Sequence, residues 1–353
     1  MNTVPVGRSS VRIPRIAFGG GCFGREIDEP ESFALLDYAL SRGLNLVDTA
    51  ESYGGGNSRE YRRRVYQIDD IREVSGEMSS SEKIIGRWMK ARNCRDKMVI
   101  LTKFNTGGTA EQVKRSLEGS LERLQTDYID IYMLHTPFSG VPIRETLEGL
   151  TAAVKAGKVR AIGCSNFSLK LLREAHGVAA ELGLARMEAT EPPFSLADAA
   201  ARDELLPYCL RENVSTITYS PLAAGFITGK YAKDQPIPKG TRFDIVPGHI
   251  DVYFSDRNFW VVEQLRKLSA EMGLPMAKVA MAWVFQHPGV SSVLVGARHQ
   301  GHLDSAIEAH ALALDPAIVA RMTEWLYEAH DDVPRLTSLE GNILKFERKV
   351  AAS

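Results

Sequence analysis

Cysteine is scarce in this chain and never closely paired: Cys22, Cys94, Cys164 and Cys209 stand far apart, with no CxxC among them. That spacing gives zinc ribbons and disulfide frameworks little support. Long apolar runs are missing as well. No stretch approaches 18 apolar residues, and residues 1–10 hold no apolar signal-like core. A soluble protein of a reducing compartment, the cytoplasm, is expected. No sign of charge dominates, since 43 Lys and Arg face 44 Asp and Glu, for a formal net charge of −1. Such a balance provides no global attraction for nucleic acid or for an anionic membrane. No HxH pair follows the first apolar run, which argues against a metal hydrolase, and no internal repeat is evident.

What remains is ordinary globular chemistry at considerable length. The 353 residues are 44% hydrophobic and 25% charged, and a chain of ~300 residues buries roughly 75% of its unfolded surface. Two ordinary domains or one large barrel both fit that length. Short apolar runs predict strands over 13–18, 44–47, 98–102, 129–134, 159–163, 186–190, 214–219 and 290–295. Amphipathic segments lie between them. Thr109 and Gln112 form a candidate capping box ahead of the stripe Val113, Leu117, Leu121 and Leu124, while Gly43 and Gly157 read as helix stops. Eight strands alternating with helices predict an α/β fold, a single-domain (β/α)8 TIM barrel. A doubly wound open sheet is the competing architecture. Two segments exceed a minimal barrel, about 55–80 and 223–256, and are expected as long loops over the C-terminal face. A C-terminal helix and tail is expected over about 315–353.

Polar residues fall just beyond successive strand ends. Asp48 ends the second strand, Lys103 the third and His135 the fourth, and Tyr53 lies five residues past Asp48. A barrel brings such ends to one mouth. Tyrosine is a poor acid near neutrality, with a reference pKa of ~10. A neighbouring Lys103 cation lowers that value, Asp48 holds the ammonium, and His135 can orient a carbonyl or share its proton. The set suits protonation of an alkoxide formed by hydride attack. Lys at a barrel strand end also suits a Schiff-base aldolase, and Asp48 with Lys103 can equally be a structural ion pair.

These residues carry a resemblance. Asp48-Thr49-Ala50-Glu51-Ser52-Tyr53-Gly54, Leu101-Thr102-Lys103, Leu134-His135, Gly163-Cys164-Ser165-Asn166-Phe167 and Tyr219-Ser220-Pro221-Leu222 together resemble the ordered motifs of the aldo-keto reductases, from about 13 to 309. The resemblance implies Asp48, Tyr53, Lys103 and His135 as the catalytic four, with Tyr53 as general acid. It implies a nicotinamide cofactor, NADP(H) ahead of NAD(H), and a small carbonyl or alcohol substrate. The glycine cluster of Gly19, Gly20, Gly21 and Gly24 is not read as a Rossmann fingerprint. It matches the family's first-strand loop, so Gly21 and Cys22 approach the cofactor. By the same resemblance Ser165, Asn166 and Glu191 meet the nicotinamide carboxamide, and Tyr219 stacks on its ring. Ser220, Leu222 and Gly225 meet the pyrophosphate. Gly296, Arg298 and His302 meet the adenosine end, where a helix N-terminus suits phosphate. Phe23, Phe138 and Phe194 are candidate pocket walls.

Three departures stand out. Glu191 occupies a place the family usually gives to Gln, and an ionised carboxylate cannot donate a hydrogen bond. Ser305-Ala306 replaces a Glu-Asn pair used for adenine. The segment after Tyr53 is long, and Ser81-Glu82 arrives only after it. Some members of the family serve as binding or redox-sensing subunits, which leaves a regulatory role as the alternative to catalysis.

Overall fold

The computed structural model describes residues 2–105, 108–137 and 140–328. The chain opens with a two-stranded antiparallel hairpin, β1 (Thr3–Pro5) and β2 (Arg12–Pro14), followed by the barrel strands. These are β3 (Ile16–Gly19), β4 (Leu46–Asp48), β5 (Val99–Phe104), β6 (Ile129–Leu134), β7 (Val159–Ser165), β8 (Met187–Glu191), β9 (Ser215–Thr218) and β10 (Val290–Gly296). Every neighbouring pair is parallel, and β10 closes on β3, so the sheet is a closed eight-stranded barrel with no free edge. Helices lie between successive strands, which is the architecture of a (β/α)8 barrel.

The expected first strand, 13–18, is two elements. Ile13 belongs to the hairpin and Ile16 starts the barrel. Pro14 has no N–H to give a ladder, and Arg15 donates instead to the Phe285 carbonyl at 2.7 Å. The hairpin is the floor of the barrel. Val6, Val11 and Ile13 pack with the inward strand residues, and the Gly7 N–H donates to Ser215 Oγ at 3.0 Å.

Strand alternation sorts the core into two compartments. Ala17, Leu46, Leu101, Ile131, Ala189 and Ile217 fill the interior, while Ile16, Phe18, Val47, Ile100 and Tyr132 face the helices. Local signals hold the helices as the sequence predicts. Thr109 caps the helix α4 (Ala110–Leu124), and its side chain and that of Gln112 complete the reciprocal box at 3.2 and 3.0 Å. In chain order α4 follows α1 (Glu29–Ser41), α2 (Gly55–Tyr66) and α3 (Ser80–Arg92). Of the expected C-terminal helix and tail over about 315–353, a helix runs over Pro316–Glu324, and the part beyond 328 lies outside the described residues.

The segment 55–80, expected as a loop, carries the whole of α2. Its buried face consists of Gly55, Gly56 and Arg62, so it offers no apolar stripe of helical period to read. Gly55 is there because backbone crowds it: a Cβ would meet the Ser75 carbonyl oxygen at 1.9 Å and that of Gly24 at 2.3 Å. Arg62 is wholly buried and pairs with Glu73 and Asp70 while donating to the Ile245 carbonyl at 3.1 Å. Arg72 donates to the Asp244 carbonyl and pairs with its carboxylate. The second segment, 223–256, likewise contains helical turns, Arg242–Ile245 and Ile250–Tyr253 among them. The two insertions are therefore ordered and bolted to each other. Among the described residues, no helix is long and apolar enough to cross a membrane.

Candidate active site

The alternation that fills the barrel also builds its mouth. Two residues beyond the inward Leu46, Leu101, Ala189 and Ile217 come Asp48, Lys103, Glu191 and Tyr219. A period of two points all four into the same layer, directly above the apolar plug. His135 joins them from just past β6, where its N–H extends the ladder to the Phe104 carbonyl at 3.0 Å. Tyr53 comes from the turn after β4.

Lys103 is the centre of this layer. It is fully buried, pairs with Asp48, and has Glu191 Oε2 at 3.3 Å from its Nζ. Its ammonium lies 5.2 Å from the centroid of the Tyr53 ring. Tyr53 meets His135 edge to face, with ring centroids 5.5 Å apart. The structure thus brings the four expected catalytic side chains together. Burial opposes the Lys103 charge, but Asp48, Glu191 and Tyr53 overcome it and raise its pKa, so the amine stays protonated.

The expected lowering of the Tyr53 pKa is not what the surroundings produce. Burial raises it, Lys103 and Arg25 pull it down, and Asp48 and Glu191 push it up again, leaving it above the ordinary phenol. Burial is the largest influence, and the opposing pull of Lys103, next in size, is partly offset by Asp48 and Glu191. Tyr53 is a loaded proton donor.

Burial, with Lys103 added, holds His135 down to about 3, so the imidazole is neutral. Its Nδ1 meets Asn105 Oδ1 at 2.6 Å, with Ser52 Oγ at 3.5 Å. A donor on Asn105 facing Nδ1 places the ring hydrogen on Nε2, and an acceptor there places it on Nδ1; the orientation of this one amide sets what His135 offers a carbonyl. Asn105 was not singled out in the sequence. Its signal was position, two residues past Lys103 on the inward parity.

Glu191 is the third carboxyl-bearing or cationic group of the layer. Its Oε2 is buried, near enough to Lys103 to feel its charge but without a hydrogen-bond partner among the described residues. Burial pushes it up to about 8; Lys103 pulls it down and Asp48 raises it. Near neutrality Glu191 is therefore mostly the uncharged acid, which regains one O–H donor. The departure from Gln is smaller chemically than it looks in the sequence.

The expected cofactor residues lie around this layer. Ser165 Oγ donates to the Glu191 carbonyl at 3.0 Å. Asn166, held in the left-handed region at φ 62°, bridges the His135 carbonyl at 2.9 Å and the Tyr219 hydroxyl at 2.8 Å. Ser220, Ala223 and Ala224 also take positive φ, followed by Gly225 at 89°. Such conformations cost of order 1–3 kcal/mol each for non-glycine residues. Here the turn holds Leu222 and Gly225 in one tight bend, the Gly225 N–H donating to the Leu222 carbonyl at 2.8 Å. Lys230, a residue the sequence did not bring forward, lies beside that bend, 3.1 Å from where a Gly225 Cβ would be. Cys22 Sγ donates to the Ala297 carbonyl at 3.2 Å, and Gly21 lies against Tyr53. Gly296 pairs with Gly19 at the end of the β10–β3 ladder. Arg298 donates to the Gly240 carbonyl at 3.0 Å, and its N–H donates to His302 Nδ1 at 3.2 Å. Of the Ser305-Ala306 pair, Ala306 is fully buried in the core and Ser305 is half-buried, next to Asp304, which pairs with Arg42.

Two of the three candidate pocket walls need correction. Phe23 is fully buried edge to face with Phe18, and Phe194 is fully buried in a stack on Trp283. Both rings are taken up in packing within the core cluster between strands and helices, where their neighbours enclose them completely. Phe138 lies outside the described residues.

A parallel barrel with Tyr, Lys, Asp and His at one mouth defines a class of oxidoreductase, and sequence comparison agrees. The aldo/keto reductase family model matches residues 15–326, and the chain belongs to that family. It is 29% identical to the aldo-keto reductase YhdN of Bacillus subtilis, over 97% of this chain and 95% of that protein. It is 28% identical to an NADH-specific methylglyoxal reductase of Escherichia coli, over 92% of this chain and 98% of that one. A probable voltage-gated potassium channel subunit beta of rice is 29% identical, over 94% and 97%. Aldo-keto reductases are oxidoreductases that use nicotinamide cofactors.

Proposed function

We propose that this protein interconverts a small carbonyl compound and its alcohol by nicotinamide-dependent hydride transfer, working as a reductase with NADP(H) ahead of NAD(H). The observation that carries this reading is the convergence of Tyr53, Lys103, Asp48 and His135 in one buried layer. The residues fit the cofactor: Glu191 leaves a buried acid without a hydrogen-bond partner, and the strained turn at Ser220–Gly225 has Lys230 beside it. When bound, the nicotinamide supplies or accepts the hydride. Tyr53 holds the proton that the carbonyl oxygen takes up, and its raised pKa keeps it protonated across the neutral range. Lys103 remains charged beside it and favours the developing negative charge on oxygen. Asp48 holds the ammonium in place, and His135 orients the carbonyl without ionising. Ser165, Asn166 and Glu191 line the place for the carboxamide, with Tyr219 beside them. Lys230, Arg298 and His302 are the groups toward the phosphates, and the basic side chains of Lys230 and Arg298 there support NADP(H).

The aldolase reading loses support, because imine formation needs a neutral amine and Lys103 is held charged. A binding-subunit role keeps one specific support, the similarity to proteins named as potassium channel beta subunits. One experiment separates the two: a panel of aldehydes, ketones and sugars run with both NADPH and NADH. Rapid turnover of any member establishes the reductase. Tight nucleotide binding with negligible turnover throughout favours the subunit, and failure to bind either nucleotide at millimolar concentration overturns both.

A further inference from the structure

One cation at the barrel mouth has no role in the chemistry above. Arg25, in the loop after β3, is only 6% exposed. Its Nε is engaged by Glu26 at 2.6 Å, but among the described residues neither Nη atom makes a hydrogen bond. Glu26 is itself shared, accepting from Arg242 at 3.1 Å. The trio therefore holds two guanidinium groups against one carboxylate, with Arg25 and Glu26 nearly buried, where charge is weakly screened, and Arg242 half-buried.

The direction of that excess charge matters. A Cβ at Gly21 would lie 3.7 Å from the Tyr53 ring and 3.9 Å from Arg25 Nη2, so the phenol and the guanidinium flank the same bare edge of backbone. The Arg25 cation reaches Cys22, Tyr53 and His249 at this place. It counts among the influences lowering Tyr53, and after burial it holds His249 down to about 4. His249 Nδ1 is enclosed there with no hydrogen-bond partner among the described residues. The first insertion fixes the loop from behind, through the Val74 N–H to the Arg25 carbonyl at 3.1 Å. The second supplies Arg242 and His249. Both insertions thus converge on this corner, with Arg298 attached to the second of them through the Gly240 carbonyl.

We propose that Arg25 anchors an anionic group of the substrate, a carboxylate or a phosphate ester, beside Tyr53, so that the preferred substrate is a negatively charged carbonyl compound. The guanidinium forms paired hydrogen bonds to either oxyanion through its two open Nη atoms. The Gly21 edge leaves a short carbon chain between that anion and the reacting carbonyl. This rests on the reductase reading, and the test separates failure of one from failure of the other.

Matched pairs differing in charge supply the test: 4-oxobutanoate against butanal, and glyceraldehyde 3-phosphate against glyceraldehyde, with NADPH saturating. The expected result is a kcat/KM at least tenfold higher for the anionic member of one pair, and the pair that shows it distinguishes carboxylate from phosphate. Arg25→Met lowers that preference at least tenfold, through KM more than kcat, and Arg25→Lys restores part of it. Glu26 keeps Arg242 in either variant, which limits damage to the fold. Equal kcat/KM within both pairs overturns the proposal while leaving the reductase intact. So does a preference unchanged by Arg25→Met, or an Arg25→Met effect confined to the KM for NADPH, which would assign Arg25 to the cofactor. Should neither aldehyde of any pair react, calorimetry of butyrate against butyramide on the nucleotide-saturated protein reads the anchor directly. Tighter butyrate binding that disappears in Arg25→Met supports the anchor, and equal affinities refute it.

Discussion

Glu191 Oε2 lies 3.3 Å from Lys103 Nζ, on a cation that Asp48 already neutralises. The fully buried layer therefore has two carboxyl groups for one ammonium, and burial raises both of them, so the pair retains a proton above the usual carboxylate range, with Glu191 pushed up to about 8. As pH rises through about 8, Glu191 ionises, loses its donor and adds a negative charge near Tyr53. Reductive kcat/KM is expected to fall across that range, and Glu191→Gln should move the fall to higher pH. Stability has a matching sign. The folded protein keeps a proton that the unfolded chain gives up above about 4.5, so stability declines as pH rises from there to about 8 and is level beyond. Urea denaturation at pH 6 and pH 8.5 should show a decline in the wild type that Glu191→Gln reduces.

Removal of the Tyr53 hydroxyl tests the proton donor. General acid catalysis contributes about 10²–10⁴ in rate, so Tyr53→Phe should lower kcat by about that factor. Nucleotide affinity, followed by fluorescence titration, should change little. Equal loss of nucleotide binding would count against the assigned role.

His135 gives an acid-side signature. Its pKa lies near 3 in the fold against 6.5 when free. The unfolded chain takes up that proton first, so stability falls as pH drops from 6.5 toward 3. His135→Gln should flatten part of this limb in denaturation curves at pH 5 and pH 7. Asn105→Ala frees the ring that Asn105 holds at 2.6 Å, and about a tenfold loss of kcat is expected, with nucleotide affinity retained.

The insertions have their own test in Arg62, whose side chain and that of Glu73 are both nearly inaccessible. Removing one partner of a buried pair costs about 3–5 kcal/mol. Arg62→Met should therefore lower the melting temperature markedly, and pairing it with Glu73→Leu should recover part of the loss. Calorimetry of the two single variants and the double variant measures the coupling.

The four cysteines are all buried, and burial pushes Cys22 and Cys164 up to about 12 and Cys209 up to about 11. Thiolate is the reactive form. A thiol reagent such as Ellman's should titrate almost none of them at pH 8 in the native protein, and all four in denaturant.

Much of this site was legible before the structure. Asp48, Lys103 and His135 end apolar runs, and period-two alternation alone puts Asp48 and Lys103 on the same side as Leu46 and Leu101. The same parity also places Glu191 and Tyr219 in that layer. The helix α2 was not legible, because a buried face of two glycines and an arginine carries no hydrophobic period. Nor were the packing roles of Phe23 and Phe194, since an aromatic near a strand end reads alike whether it faces the mouth or the helices. Asn105 and Arg25 lacked a motif altogether.

The sequence by itself determined the alternation of strands and helices, the caps, and the identity of the groups at each strand end, because these follow from local periodicity and side-chain chemistry. Tertiary structure decided the electrostatic state of those groups. Whether Lys103 lowers Tyr53, whether Glu191 is charged, and whether Arg25 keeps open donors depend on burial and on neighbours from distant segments. Those energies arise only when the barrel closes and water leaves its mouth.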